Sequence, residues 1–398
     1  MTEKPFCMNL SKELVSFINQ HLDSDLQRLA LQKNPFPLYE WKWILNQIQA
    51  KKKAQKKLPT WFGNNDVVFP SALSVEQTSS EPLAQYKASL INGNSLIDLT
   101  GGFGVDDLYF ARSFKKVVHC ELQKELSDIV SHNLKVFDID NIETVNGDSI
   151  AYLEQSAGPF DWIYVDPARR DESKSKVFLL KDCTPDVVDL LPLLFKKSTN
   201  VLLKVAPLLD VSAVLQEINH VKKIYAVALQ NEVKELLIIL EKDFNGIPDV
   251  VACNILNNGE ICSDGFSLED DESALLSFPL TYLYEPYSSY LKLGQYNSIA
   301  NRFNVRKLHK HSHLYTSEKL VDFPGRKFKI EQIIPYHKKE LKFLEQSKCN
   351  VTTRNFPLKV EDLRKKHKLK DGGDTYLFFT TDMNNEKIVI ITKKETTA

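Results

Sequence analysis

Cysteine is sparse and scattered in this chain. The six thiols, Cys7, Cys120, Cys183, Cys253, Cys262 and Cys349, contain no C-x-x-C pair. That argues against a zinc knuckle or a disulfide framework and fits the reduced thiols of a cytoplasmic protein. An excess of charge of one sign is missing too: 51 Lys and Arg against 52 Asp and Glu leave a formal net charge of -1. The molecule as a whole therefore advertises neither nucleic acid nor membrane, and any basic surface has to be local. The opening MTEKPFCMNL has no apolar run long enough for a signal peptide or a membrane span, so neither export nor a membrane partner is expected. His309, His311 and His313 alternate in HKHSH and would share one face of a strand, but no acid or cysteine is spaced nearby to complete a zinc site, so no metal is expected. What is plentiful is ordinary core material: 43% hydrophobic residues over 398 positions suffice for two to four domains.

The most informative stretch runs from Ser95 to Asp107, SLIDLTGGFGVDD. Leu96, Ile97 and Leu99 read as a buried strand carrying Asp98; Gly101, Gly102 and Gly104 make a turn; Leu108, Phe110 and Ala111 begin a helix. Strand, glycine turn and helix in this order form a nucleotide-type loop, because glycine lets a backbone approach a ligand without a Cβ in the way. A dinucleotide loop would place a third glycine at 107, where the pyrophosphate meets the helix. Asp106 and Asp107 stand there instead. Paired carboxylates repel a pyrophosphate and favour a ligand bearing a sulfonium and an ammonium, so the loop leans towards S-adenosylmethionine and away from a dinucleotide oxidoreductase. Acids in a first helical turn also complement the helix dipole.

Residues 1–84 read as a helical region without evident chemistry. It ends in Lys51, Lys52, Lys53, Lys56 and Lys57 beside Trp61 and Phe62, a solvated helix face or a grip on a polynucleotide. From 85 to 245, strands near 95–99, 117–120, 142–145, 162–165 and 201–205 alternate with helices, the pattern of a mostly parallel α/β sheet. Two further apolar runs, Ile224 to Leu229 and Leu236 to Leu240, lie too close for a crossover helix and should be antiparallel neighbours. Acids fall at four consecutive strand ends: Asp98, Glu121 in CELQ, Asp148 in NGDS and Asp166 in VDPARR. Glu121 is placed to accept both ribose hydroxyls, Asp148 to take an adenine amino group, and Asp166 to face the carboxyl edge where open α/β sheets bind ligands.

The series DLTGGFG, CELQ, NGDS and VDPARR resembles the motifs of class I S-adenosylmethionine-dependent methyltransferases, over residues from about 90 to 245. The resemblance implies an α/β, Rossmann-like seven-stranded sheet, with Thr100, Gly101, Gly102 and Gly104 at the methionine part of the cofactor, Glu121 on ribose and Asp148 at adenine; Asp98, Asp106 and Asp166 are further candidates for cofactor binding. Thr100 departs from the usual first loop glycine; its small side chain still fits and its hydroxyl is available to a ligand. More closely, TGGFGVD, VDPARR, TTRNFPL and KLKDGGDTYLF are similar to bacterial methyltransferase-like proteins that append a ferredoxin-like and a THUMP-like C-terminal domain. On that pattern the chain divides into 1–84, 85–245, a small ferredoxin-like domain at 246–326 and a basic THUMP-like domain at 327–398.

Target chemistry falls to Asp166, Pro167 and Arg169. Amine methyltransferases commonly carry Asp/Asn-Pro-Pro-aromatic here. This chain keeps the acid and first proline, while Arg169 stands where the stacking ring would be. A guanidinium can stack on a base or grip a phosphate, or it can pair with Asp171 or Glu172. Uracil C5 methylation is disfavoured, since no nucleophilic cysteine occurs in LLKVAPLLD. In that strand Lys204 either reaches the site rim or snorkels to solvent. From Lys327 onward, 16 Lys and Arg face 10 Asp and Glu, and Arg354, Arg364, Lys365, Lys366 and Lys368 form a candidate surface for structured RNA, tRNA or rRNA. Two functions follow: a methyltransferase acting on an RNA base, or an RNA-binding or assembly factor whose catalytic loop has decayed.

Overall fold

The computed structural model describes residues 8, 10–169, 179–269, 272–337 and 339–395. The chain divides into two compact units, Met1–Lys222 with Leu237–Asn245, and Lys223–Leu236 with Gly246–Ala398. Cys7, Asp171 and Glu172 lie outside the described residues, and so does the side chain of Arg169.

In the first unit, helices α1 (Lys12–Gln20) and α2 (Trp41–Lys57) bury Leu14, Ile18, Ile44 and Ile48 against each other at helical spacing. The lysine run is absorbed by structure: Lys52 pairs with Asp23, Lys53 pairs with Glu76, and Lys51 is buried with its ammonium 3.0 Å from Asn65. Trp61 is 2% exposed and packs on Phe103, Tyr109 and Phe137, so it offers no face for a base. Helix α3 (Glu81–Leu90) then leads into the sheet.

Five strands are parallel neighbours: β1 (Gly93–Asp98), β2 (Phe114–Glu121), β3 (Ile142–Asn146), β4 (Trp162–Val165) and β5 (Asn200–Val205). Leu96, Ile97, Val201, Leu202 and Leu203 are fully buried on alternating faces, as expected where helices cover both sides. Those helices are α4 (Val105–Phe110), α5 (Lys124–Val136), α6 (Ser149–Gln155), α7 (Val187–Lys197) and α8 (Val211–Glu217). A hairpin of β6 (Val221–Leu229) and β7 (Glu232–Glu241) continues the order as β3-β2-β1-β4-β5-β7-β6, and two further strands beyond β6 bring the sheet to nine where seven were expected. Only Gln230 and Asn231 separate its strands, both at positive φ (54° and 64°), the geometry of a tight hairpin turn. The base of this hairpin belongs to the first unit and its tip to the second.

In the second unit, β8 (Asp249–Ile255) runs parallel to β6 from Lys223 to Leu229, and β9 (Ile261–Ser267) runs antiparallel to β8. A separate seven-stranded sheet follows, built from β10 (Tyr282–Pro286), β11 (Arg306–Lys307), β12 (Tyr315–Ser317), β13 (Gly325–Pro335), β14 (Asn350–Thr353), β15 (Thr375–Thr381) and β16 (Lys387–Lys394). Its order is β11-β12-β10-β13-β16-β15-β14. Strand alternation feeds two cores: Leu377, Phe379 and Val389 meet Leu363 of α9 (Val360–His367), while Phe378 and Ile390 meet Leu283 and Phe328.

HKHSH forms a turn between β11 and β12 and not a strand, so its histidines do not share a face. The His309 ring is held at both nitrogens, with Nε2 3.1 Å from Asn385 Oδ1 and Nδ1 accepting the His311 N–H at 3.0 Å. His313, at φ 50°, stacks on Tyr296 with ring centroids 3.5 Å apart. Burial, then the charges of Lys307, His311 and Arg354, push its pKa down from 6.5 to about 4. The unfolded chain takes a proton here below about pH 6.5 that the folded chain refuses. Stability from the neutral ring is therefore complete above that pH and is lost as pH falls towards 4. His313→Asn, which tolerates the positive φ, should flatten the decline of the urea midpoint between pH 6.5 and pH 4; an unchanged slope would contradict this assignment.

Candidate functional site

The glycine turn is built from below. The Thr100 N–H and hydroxyl both donate to Asp98 Oδ1, at 2.7 and 3.0 Å, and the same hydroxyl accepts the Asp166 N–H at 2.7 Å. The end of β1 is thereby tied to the end of β4, and the Thr100 hydroxyl expected at a ligand is already engaged within the protein. Gly101 donates its N–H to the Cys120 carbonyl at 2.9 Å, and a Cβ on it would lie 2.2 Å from Cε1 of His119. The glycine serves close packing on a buried ring, where a ligand approach was expected. Gly104 caps α4 at φ 70°.

His119 and Asp107 form a fully buried pair, Nδ1 to Oδ2 2.6 Å. Asp107 therefore points into the core, and the mouth of the loop does not carry it. Burial, then the charge of Asp106, raise the Asp107 carboxyl well above its ordinary range; burial, then Asp107, do the same to Asp98, and burial holds His119 down. Asp106 is also engaged internally. Its Oδ2 accepts the hydroxyls of Ser79 and Tyr164, each at 2.9 Å, and its Oδ1 lies 3.3 Å from the Lys87 ammonium. Burial alone would raise Asp106, but Lys87, Lys204 and those hydroxyls bring it below its usual value. The expected contact of Asp98 and Asp106 with a cofactor is thus corrected: Thr100, two residues on, engages the buried Asp98 carboxylate, and Ser79, Tyr164 and Lys87, remote in sequence, engage that of Asp106.

Above the loop a cavity of about 490 Å³ is lined by Leu99, Thr100, Glu121, Asp148, Asp166 and Ala168 among others. Gly101, Gly102 and Gly104 are not among its lining residues. Glu121 ends β2, and its two oxygens accept the N–H groups of Gly102 and Gln123 at 3.1 and 2.7 Å. Asp148 caps α6, with Oδ1 accepting from Ile150 at 2.8 Å and from Ala151 at 3.2 Å. Asp166 contacts Lys204 of β5, so this lysine turns to the site and does not simply snorkel. Pro167 is buried beside it, while Ala168–Arg169 pairs with Cys183–Thr184. Leu122, Ile150 and Pro185 add apolar wall that sequence reasoning missed. Leu122 follows the acid of CELQ directly, a usable signal, whereas Pro185 arrives from a distant turn with no local mark.

In the second unit the candidate basic residues separate. Arg354 contacts buried Glu285 at 2.7 Å, and Arg364 contacts the Cys349 carbonyl at 3.2 Å and Asp371 at 2.5 Å. Both guanidinium groups are committed to the fold, which corrects their expected availability to RNA. Lys366 donates to the Tyr336 hydroxyl at 2.9 Å, and Lys368 lies 3.5 Å from Glu345. Lys365, Lys368 and Lys370 are exposed. Among the described residues no cluster of His, Cys, Asp and Glu could hold a metal, and no helix is long and apolar enough to cross a membrane.

Comparison with known proteins places this architecture. The sheet order and the cavity at its carboxyl edge define a class I methyltransferase fold. A crystal structure of a candidate methyltransferase from Porphyromonas gingivalis W83 is 31% identical and covers 96% of this chain and 98% of its own, with a TM-score of 0.86. The chain belongs to the family of that protein. Residues 282–324 match a family model for a ferredoxin-like domain, and residues 325–394 match one described as THUMP domain-like. An uncharacterized RNA methyltransferase from Mycoplasma mobile is 26% identical over 156 residues, 37% of this chain; the chain spans only 43% of that relative's length.

Gly101→Ala should displace His119 and break its hydrogen bond with Asp107, at a cost of about 1–3 kcal/mol, the scale of an overpacked core that leaves a buried polar group unsatisfied. Urea unfolding reads this as a lowered midpoint, and a midpoint equal to wild type would contradict the packing role.

Proposed function

We propose that this chain transfers a methyl group from S-adenosylmethionine to a base in structured RNA, tRNA or rRNA. The observation that carries the reading is the convergence of Glu121, Asp148 and Asp166, from three different strand ends, on one largely apolar-walled cavity. The residues present fit the cofactor. Glu121, aimed by two backbone N–H groups, offers acceptors to a ribose diol; Asp148 offers one to the adenine amino group, with Leu122 and Ile150 as walls for the ring. Leu99 and Thr100, the part of the turn that lines the cavity, are left for the methionine end. When bound, the cofactor supplies an electrophilic methyl group on a sulfonium centre. The work of the protein is then to seat an acceptor nitrogen in line, exclude water and receive the proton that the nitrogen sheds as its new N–C bond forms. Asp166, backed by Pro167, is the group for that task.

Support for RNA is threefold: the THUMP-like match over residues 325–394, the excess of 16 basic over 10 acidic residues from Lys327 onward, and the name borne by the Mycoplasma relative. Ala168 in place of a second proline and Arg169 in place of a stacking ring favour the second reading, a decayed RNA-binding or assembly factor.

Calorimetric titration with S-adenosylmethionine separates the two readings. The methyltransferase reading expects saturable binding, weakened at least about tenfold by Glu121→Ala through lost charge-assisted hydrogen bonds. Asp166→Ala should abolish transfer with cofactor affinity within a few-fold of wild type. No binding to the wild-type chain would leave the assembly factor standing. For delivery, Lys365, Lys368 and Lys370 changed together to Gln should weaken binding to a tRNA transcript and reduce the slope of log K against log salt by roughly one for each phosphate no longer neutralised. An unchanged slope would exclude that surface.

A further inference from the structure

A lysine interrupts a deeply buried run near the carboxyl end of β5. In β5 the neighbours Val201, Leu202 and Leu203 are fully buried and Val205 is 3% exposed, yet position 204 carries an ammonium group. An apolar side chain would serve packing there as well or better, because an ion pair withdrawn from water seldom adds net stability. The Lys204 side chain is 14% exposed and reaches Asp166 Oδ2 from the adjacent parallel strand, where Val165 is in register with Leu203. Asp166 is therefore held twice, through its backbone N–H by the Thr100 hydroxyl and through its carboxylate by Lys204.

The second restraint also fixes the charge at this end of the cavity. A lone carboxylate would attract an ammonium or guanidinium group, the acceptors that proteins offer. A carboxylate already matched by an ammonium has no charge left to recruit another cation, and an approaching cation would meet Lys204. The Asp166 carboxylate can still accept a hydrogen bond from a neutral N–H.

We propose that Lys204 is a positioning and specificity residue that aims Asp166 and cancels its charge, restricting the methyl acceptor to a neutral N–H nitrogen such as a nucleobase edge and excluding protein lysine and arginine. The inference rests on the methyltransferase reading and deepens it. Lys204 acts through Asp166 and not by touching the reacting atoms; the acceptor proton still leaves towards the Asp166 carboxylate.

The test uses the full chain, methyl-labelled S-adenosylmethionine and two acceptor pools from cells lacking the gene: total RNA, and nuclease-treated total protein. Wild type should label RNA and leave protein unlabelled. Lys204→Met and Lys204→Gln should each lower kcat on RNA at least tenfold, with KM for RNA and cofactor affinity within threefold, and Lys204→Arg should recover most of kcat. A merely structural lysine would instead lower the unfolding midpoint and cofactor affinity together, with no selective loss of kcat. The proposal is overturned if either neutral variant turns over like wild type, if only KM rises, or if wild type labels protein in preference to RNA. Failure of wild type to bind S-adenosylmethionine is a distinct result, and it removes the underlying reading itself.

Discussion

The Thr100 hydroxyl holds the site together. It takes the Asp166 N–H and gives its own proton to Asp98, so one oxygen connects the glycine turn, the first strand and the loop after the fourth. Parallel strands bring their carboxyl ends to one edge but leave the loops beyond them free to diverge. Here they are cross-linked by short hydrogen bonds before any ligand arrives, and the acids that line the cavity inherit fixed positions. Glu121 is held to the same turn through Gly102. This is preorganisation in the sense that matters for a transfer reaction, because little ordering is left to be done when the acceptor is seated.

Much of this was legible in the sequence because parallel strands leave a strong trace. Continuous apolar runs ending in an acid and a loop predicted the strand ends at Asp98, Glu121, Asp148 and Asp166, and the structure places all four at the ends of neighbouring strands. The direction in which side chains point was not legible. Asp106 and Asp107 adjoin in the first turn of α4, and adjacent helical positions face different ways. Which way each turns depends on Lys87, Ser79 and His119, which lie far off in the chain. The same applies to Lys204, whose partner Asp166 sits on another strand.

The C-terminal basic residues carry a related lesson. A count of charges treats Arg354 and Lys365 alike, yet Arg354 is tied to buried Glu285 while Lys365 is exposed. Arginine, with its fixed fork of donors, is well suited to such an internal clasp, and lysine more often stays in water. A local excess of positive charge therefore overstates the surface available to a polyanion, and the part that remains is mainly lysine.

The fit of Gly101 against His119 has a consequence for divergence among related chains. With no room for even a methyl group between them, these two positions answer to each other as a single unit. A lineage that exchanged the imidazole for something smaller would gain freedom at the turn and lose the partner of Asp107 in the same step, stranding an acid in the core. The two sites should drift together or not at all, tying the glycine of this turn to the interior of the sheet rather than to the ligand above it.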